Sequence, residues 1–478
     1  MYEPVIGLEV HLQLKTKTKA FCGCANYFGE KPNTLVCPVC LGLPGSLPVL
    51  NQKALEYALK VALALNCKIN RVFKFDRKNY YYPDLPKNYQ ISQYDLPLSQ
   101  NGYIDIESEG KSKQIGIRRV HLEEDAGKLI HTENYSLVDY NRAGVPLLEI
   151  VTEPEINSPQ EAYAYLTTLK SILEYLEVSD CDMEKGSLRC DANISLRIGK
   201  SEKLGVKTEL KNMNSFKAVR DALNFEIKRQ REILESGGEI VQETRLWDAE
   251  KEITTSMRSK EEAHDYRYFP DPDLVIFTAE EEFLESMRKT IPELPRKRSL
   301  RFQQEYKLSP YDAGVLTQSK ALADYFETCI KLYPHPKEIS NWLTTEIFAY
   351  LNEKKISFES LNLEAEKFIR LLKLLELKQI NRNTAKEVLR VMLETGRDAD
   401  TIVREKNLFL ISSSADIDNI VEEVIRTNPG PVNDYLKGKE NALMFLVGQV
   451  MKQTQGKAEP LKVQEVLRKK IPKGGQNA

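Results

Sequence analysis

Apolar and polar residues alternate along two stretches of the chain with the period of a β-strand. From Ile6 to Leu14, Ile6, Leu8, Val10, Leu12 and Leu14 share one face, and Glu9, His11 and Gln13 the other. In the run 187–198, Leu188, Cys190, Ala192, Ile194, Leu196 and Ile198 face one way; Ser187, Arg189, Asp191, Asn193, Ser195 and Arg197 face the other. So long an alternation predicts an antiparallel strand with one dry and one polar side. Shorter runs at Ile115–Leu122 and Val145–Val151 predict further strands. Between them, Ser158-Pro159-Gln160-Glu161 supplies a helix N-cap, a proline at the first helical position and a capping-box glutamate. Ala162, Leu166, Leu169, Leu173 and Leu176 form the apolar stripe that follows. A second helix opens near Asn214 or Ser215 and stops at Gly237-Gly238.

After Pro292 and Pro295 glycine becomes sparse and the 3.6-residue period takes over, at Lys320–Tyr333, Glu364–Leu377 and Thr384–Glu394. From about Ala399 onward three more short helices are predicted, at Ile417–Arg426, Glu440–Gln453 and Val463–Lys470, with Pro429-Gly430-Pro431 breaking the first from the second. The expected class is α+β: a body with a mainly antiparallel sheet, then an all-α helical domain, then a small all-α tail. No internal repeat is present. The 478 residues suit about three domains at roughly 150 residues each.

Composition is that of a soluble globular protein, 41% hydrophobic and 29% charged. Met1-Tyr2-Glu3-Pro4 lacks the basic and apolar regions of a secretory signal, and apolar stretches such as Ala54–Leu65 are interrupted by Glu or Lys. A cytoplasmic protein with no membrane association is expected. The formal net charge of −2 excludes a polycation, so any nucleic-acid contact must come from local basic surface. Residues 68–89 hold six Lys/Arg against two Asp, interleaved with Phe73, Phe75, Tyr80, Tyr81, Tyr82 and Tyr89. Residues 452–473 hold seven Lys/Arg against two Glu. The bland reading of each stretch is a solvated face.

Cys22-x-Cys24 and Cys37-x2-Cys40 form two short-spaced pairs across a loop. Four thiolates bind zinc tetrahedrally and leave no position for water, so the expected site is structural; the alternative is four reduced thiols. Acidic residues form a second constellation. Glu9 and His11 project together from one strand face; Glu123, Glu124 and Asp125 follow His121; Glu149 stands between apolar neighbours. Buried carboxylates need compensation, and a divalent cation neutralises several at once, Mg²⁺ preferring oxygen ligands and phosphate. Taken singly, each acid is more often an exposed strand-end residue than a ligand, and His11 more often a hydrogen-bonded strand residue. The common nucleotide signatures are absent: Gly110-Lys111-Ser112 resembles the end of a P-loop, but Asp105 occupies the place of its first glycine. If ATP binds, the polar face of 187–198 is the candidate surface. No amidase nucleophile motif is present.

Several segments resemble the GatB/GatE family, the kinase-like subunits of tRNA-dependent amidotransferases, in its bacterial GatB form. They are Ile6-Gly-Leu-Glu-Val-His11, the four-cysteine loop, Asn79–Gln93, His121–Lys128, Asp139–Glu149, Glu184–Asn193, Lys211–Phe216, Asp265–Asp273 and Leu446–Lys457. One departure follows Leu274, where Val275-Ile276-Phe277 replaces the usual prolines. The resemblance implies a cradle related to glutamine synthetase over 1–293, a helical domain over 294–406 and a tRNA-binding tail over 407–478. It implies ATP-dependent phosphorylation of the side-chain carboxylate of Glu-tRNA(Gln) or Asp-tRNA(Asn), then amidation by ammonia. It implies two partner proteins of the same amidotransferase, a glutaminase of the amidase family and a small accessory subunit. By position, Glu9, His11, Glu124 and Glu149 look like the magnesium set, Glu124 also as a proton acceptor from ammonium. Lys78 and Lys87 look like the ammonia route, and Ser187, Arg189, Asp191 and Lys211 like nucleotide contacts. Two other classes compete: a zinc-stabilised RNA-binding protein without catalysis, and a free-standing ATP-dependent amide ligase.

Overall fold

The alternation near the N-terminus becomes the strand Tyr2–Gln13, fifth in a sheet of nine. On its dry side Ile6, Leu8, Val10, Leu12 and Leu14 are each at most 1% exposed, as expected. In the computed structural model, which describes residues 2–199, 203–259, 266–410, 414–454 and 456–472, the chain divides into two units, Met1–Arg298 and Ser299–Ala478. Asp265 and Gln455, each within a motif quoted above, lie outside the described residues.

Across the sheet of the first unit the order is Ile253–Ser259, Glu243–Asp248, Thr208–Lys211, Leu188–Ile198, Tyr2–Gln13, Pro146–Thr152, Lys111–Glu124, Ser99–Ser108, Lys68–Ile69. Every pairing is antiparallel except that of Thr208–Lys211 with Glu243–Asp248. Helices Gln52–Ala64, Pro159–Tyr175 and Phe216–Glu235 contribute Ala58, Leu166, Leu169, Val219 and Leu223 to the core on the dry face. The opposite, wet side of the central strands carries their polar residues, among them Glu9, His11, Arg189 and Asp191. Ser158 caps its helix by accepting from the Glu161 N–H at 3.1 Å, but Glu161 reaches the Asn157 N–H at 2.8 Å rather than that of Ser158. Ile198, expected on the dry face, is 69% exposed: the chain leaves the sheet through Gly199, and only Tyr2 lies opposite. Gly110, in a left-handed conformation at φ +75°, closes the hairpin between Ser99–Ser108 and Lys111–Glu124, which accounts for the truncated P-loop likeness. In the segment that lacks the usual prolines, Phe277 pairs with Phe73 and stacks on it at 5.5 Å, so an aromatic contact holds it to the body.

The second unit is helical. One core gathers Phe302, Phe326, Trp342, Phe368, Leu372 and Leu389, and a second gathers Ile417, Val421, Leu446, Val450, Val463 and Leu467. Pro429-Gly430-Pro431 does more than break the chain: Pro429 opens a further helix, Pro429–Leu436, because a proline at the first helical position forfeits no hydrogen bond. Mixed α+β architecture with a mainly antiparallel sheet and a helical C-terminal region is therefore the fold. Among the described residues no helix is long and apolar enough to cross a membrane.

Candidate active site

Strand pairing sets His11 opposite Glu149 on one side and Arg189 on the other, and Glu149 opposite His121. Side chains of directly opposed residues share a face, so these four converge above the sheet. His11, Glu123 and Glu149 each offer a ligand atom, and these atoms all lie within 4.8 Å of one another. His121 Nε2 stands 3.1 Å from Glu149 Oε2 and 3.6 Å from Glu123 Oε2. The imidazole is 1% exposed, and its Nδ1 has no hydrogen-bond partner among the described residues.

The electrostatics follow from crowding two acids and two imidazoles. Burial pushes the Glu149 carboxyl up, but His121, then His11 and Lys78, outweigh it and hold the group well below its ordinary value. Glu123 is likewise lowered: burial and Glu149 oppose its charge, and His121 and Lys78 favour it. Burial disfavours a charged His121, yet Glu149 and Glu123 raise it. Burial also works against the Lys78 ammonium, and Glu123, Tyr268 and Glu149 more than compensate. Lys78 Nζ rests 4.8 Å from the ring centre of Tyr266, beside the acids. Pooled negative charge with hard oxygen donors and one imidazole suits a divalent cation, Mg²⁺ among them.

Glu124 is absent from that trio. Its Oε1 accepts from the Lys87 ammonium and from the Ile91 N–H at 2.9 Å, and its own carbonyl accepts from Gln90. A β-bulge is responsible. Pairing along Pro146–Thr152 slips by one residue between Val151, opposite Arg119, and Thr152, opposite Ile117. Ile115 and Ile117 point into the core, and so do Val120 and Leu122, one residue out of phase. The slip sends His121 and Glu123 to the wet face and turns Glu124 away. Plain alternation misses Glu123 and His121; the phase break from Ile117 to Val120 is the signal that finds them.

The remaining expected residues spread along the same face. Glu9 accepts from Asn193 Nδ2 at 2.9 Å and lines a cavity of about 370 Å³ with Gly7, Arg118, Thr152, Ser195 and Lys207. Arg189 bonds Asp125 at 3.1 Å, and Gln13 donates to the same carboxylate at 2.7 Å. Burial opposes the Asp125 charge, and Arg189 and Arg142 hold it low. Lys211 pairs with Asp191 at 2.5 Å and Glu209 at 3.2 Å. Ser187 lies apart: its hydroxyl serves Asp180 and the backbone of Asp182, closing the turn through Gly186.

Cys22, Cys24, Cys37 and Cys40 form the second cluster, their sulfurs within 4.8 Å of one another. The Cys37–Cys40 separation of 3.9 Å is close to the edge of about 3.8 Å that zinc–sulfur bonds of about 2.3 Å give a tetrahedron. A hydrogen bond from Cys22 and the nearby Lys19 ammonium bring Cys40 down to about 4, and burial lifts Cys24 to about 11. Lys19 is fully buried, 3.7 Å from Cys40 Sγ. This loop abuts the Glu124 corner. A side chain on Gly144 would meet Cys40 Cβ at 3.4 Å and Glu124 Oε2 at 3.7 Å, and one on Gly42 would strike Lys87.

Fold and site together define an α+β protein with three potential cation ligands on the wet face of its sheet and a separate four-cysteine cluster. Comparison with known proteins narrows the class. The model described as the GatB/GatE catalytic domain matches residues 4–285, and one described as a GatB domain matches 324–471. Proteins named as the B subunit of aspartyl/glutamyl-tRNA(Asn/Gln) amidotransferase are similar along their whole length. That of Carboxydothermus hydrogenoformans is 55% identical over 477 residues, 99% of each chain. That of Caldanaerobacter subterraneus subsp. tengcongensis is 57% identical over 473 residues, 99% of this chain and 100% of its own. That of Thermodesulfovibrio yellowstonii is 54% identical over 467 residues, 98% of each. The chain belongs to the GatB/GatE family.

Protein purified without oxidation should carry one zinc per chain by metal analysis. Cys37→Ser should lower zinc content and thermal midpoint together; a metal-free wild type with an unchanged midpoint would refute the zinc site.

Proposed function

We propose that this chain is the GatB-type subunit of a tRNA-dependent amidotransferase, an ATP-dependent carbon–nitrogen ligase with glutamine as amido donor. It acts in the cytoplasm with two partners, a glutaminase of the amidase family and a small accessory subunit. Its substrate is Glu-tRNA(Gln) or Asp-tRNA(Asn), and its product Gln-tRNA(Gln) or Asn-tRNA(Asn). The observation that carries this reading is the convergence of His11, Glu123 and Glu149 on the wet face, in a chain similar from end to end to proteins named as the B subunit of that enzyme. A non-catalytic RNA-binding protein has no use for such buried acids.

A carboxylate is a poor electrophile because ammonia has no leaving group to expel. Transfer of the γ-phosphoryl group from ATP to a side-chain carboxylate oxygen, with ADP leaving, supplies one. Ammonia nitrogen then bonds to the acyl carbon and phosphate departs. His11, Glu123 and Glu149 would hold Mg²⁺, with Glu9 one pleat along the strand. That ion, when bound, supplies charge stabilisation for the phosphoryl transfer. Arg189, Asp191 and Lys211 orient the nucleotide over the polar face of Leu188–Ile198, whose Asn193 and Ser195 line the cavity. Ser187 is left with a supporting role in its turn. Lys78 and Lys87 line the approach of ammonia, and Glu124, at the far end of the Lys87 pair, accepts a proton from ammonium at its carboxylate. Three domains divide the work: 1–293 for catalysis and zinc, 294–406 as helical connector, and 407–478 for tRNA. The last contains the basic helix turn Arg468-Lys469-Lys470.

In the assembled complex, Glu-tRNA(Gln) or Asp-tRNA(Asn) should stimulate ADP release from ATP. Lack of stimulation by both would sink the reading. Glu124→Gln keeps an acceptor for the Ile91 N–H and should abolish amide formation with tRNA affinity within about twofold; equal losses would make Glu124 a folding residue. Removing residues 407–478, which own a separate hydrophobic core, should weaken tRNA binding at least tenfold and leave the thermal transition of the body in place. Unaltered tRNA affinity would take the tail out of recognition.

A further inference from the structure

Four tyrosines outside the acid trio form a continuous chain of rings. Tyr80 and Tyr266 meet edge to face at 5.8 Å, Tyr266 and Tyr268 at 6.1 Å, and Tyr268 and Tyr94 stack at 4.3 Å with planes 9° apart. The inner end of this wall lies against the acids. Lys78 Nζ sits 4.8 Å from the Tyr266 ring and 5.8 Å from that of Tyr80. Burial, with Glu123 and Glu149 close by, pushes the Tyr268 hydroxyl up to about 12. The outer end is open, Tyr94 being 54% exposed although one face of its ring is covered by Tyr268.

The wall is rigid. Tyr94 N–H donates to Asp76 Oδ2 at 2.9 Å, and Asp76 is 1% exposed and paired with Lys74 at 2.7 Å. Asn79 binds the carbonyls of Tyr266 and Arg267, each at 2.9 Å, and Arg77 binds Asp271 at 2.9 Å and Asp273 at 2.8 Å. Beside the wall the exposed Arg267 guanidinium stands 5.8 Å from the ring of Tyr81, itself 74% exposed. A fixed ring with one bare face and a neighbouring cation is how proteins take unstacked bases at the ends of single strands. None of the four tyrosines lines the cavity at Glu9, so wall and cavity are separate binding surfaces among the described residues.

We propose that this tyrosine wall, with Tyr94 as its open face, stacks the unpaired 3′-terminal adenosine of the acyl-tRNA, with Arg267 facing the adjoining phosphate. The proposal rests on the amidotransferase reading and adds a positioning surface to it. The amino acid is esterified to the ribose of that adenosine, so a base seated on the wall hands its carboxylate inward past Lys78 to the acids. Stacking also explains exposed aromatics where solvation alone would favour polar side chains.

The test uses the assembled complex and deacylated tRNA(Gln), either ending in C-C-A or lacking the terminal adenosine. Loss of the adenosine should weaken binding about tenfold in the wild type. Tyr94→Leu should erase that difference, Tyr94→Phe should keep it, and neither should change the KM for ATP. Equal binding of both tRNAs by the wild type, or a full difference in Tyr94→Leu, overturns the proposal. A raised KM for ATP with discrimination intact assigns the wall to the nucleotide, and loss of a partner protein from Tyr94→Leu assigns it to a protein interface; either also overturns it. The amidotransferase reading fails separately, by absence of acyl-tRNA-stimulated ADP release in the wild type.

Discussion

Two-sidedness of the strand Tyr2–Gln13 is the constraint from which the rest of the first unit follows. With Ile6, Leu8, Val10 and Leu12 fully buried, a slip of one residue would expose all four to water and bury Glu9 and His11 in hydrocarbon. Each fully buried aliphatic contributes about 1.5–3 kcal/mol, so the wrong register is several kcal/mol worse. That penalty fixes which side chains rise on the wet face and which residues on Pro146–Thr152 and Leu188–Ile198 they meet. The hydrophobic core thus positions the polar site without touching it.

On the wet face the ruling effect is charge crowded into low dielectric. Glu123 and Glu149 repel, and burial disfavours both, yet each is held ionised because His121, His11 and Lys78 surround them. The same balance leaves His121 with a buried Nδ1 that no described residue satisfies. An arrangement this polar is costly for folding alone, which is why such clusters mark places where ions or reacting groups are handled.

Much of this was legible in the sequence, because burial on one side of a strand writes a period of two. The central strands, the helix opened by Ser158 and the four-cysteine loop needed no tertiary information. What escaped were features set by pairing between distant segments. The bulge beside Val151 puts Glu123 on the wet face and turns Glu124 away, and no local propensity encodes it; only the misphased Val120 and Leu122 betray it. Ser187 shared the alternation of its strand but is claimed by Asp180 across a turn. The ring chain from Tyr80 to Tyr94 joins two segments far apart along the chain, so neither of its halves reads as a surface in isolation.

Gly144 sits where the sulfur knot and the Lys87–Glu124 corner share a wall; a Cβ there would make only ordinary contacts with Cys40, Lys19 and Glu124, so it is the left-handed backbone at φ +85° that calls for glycine. One backbone torsion at Gly144 thus shapes the packing of the four-cysteine loop and of the Lys87–Glu124 corner together.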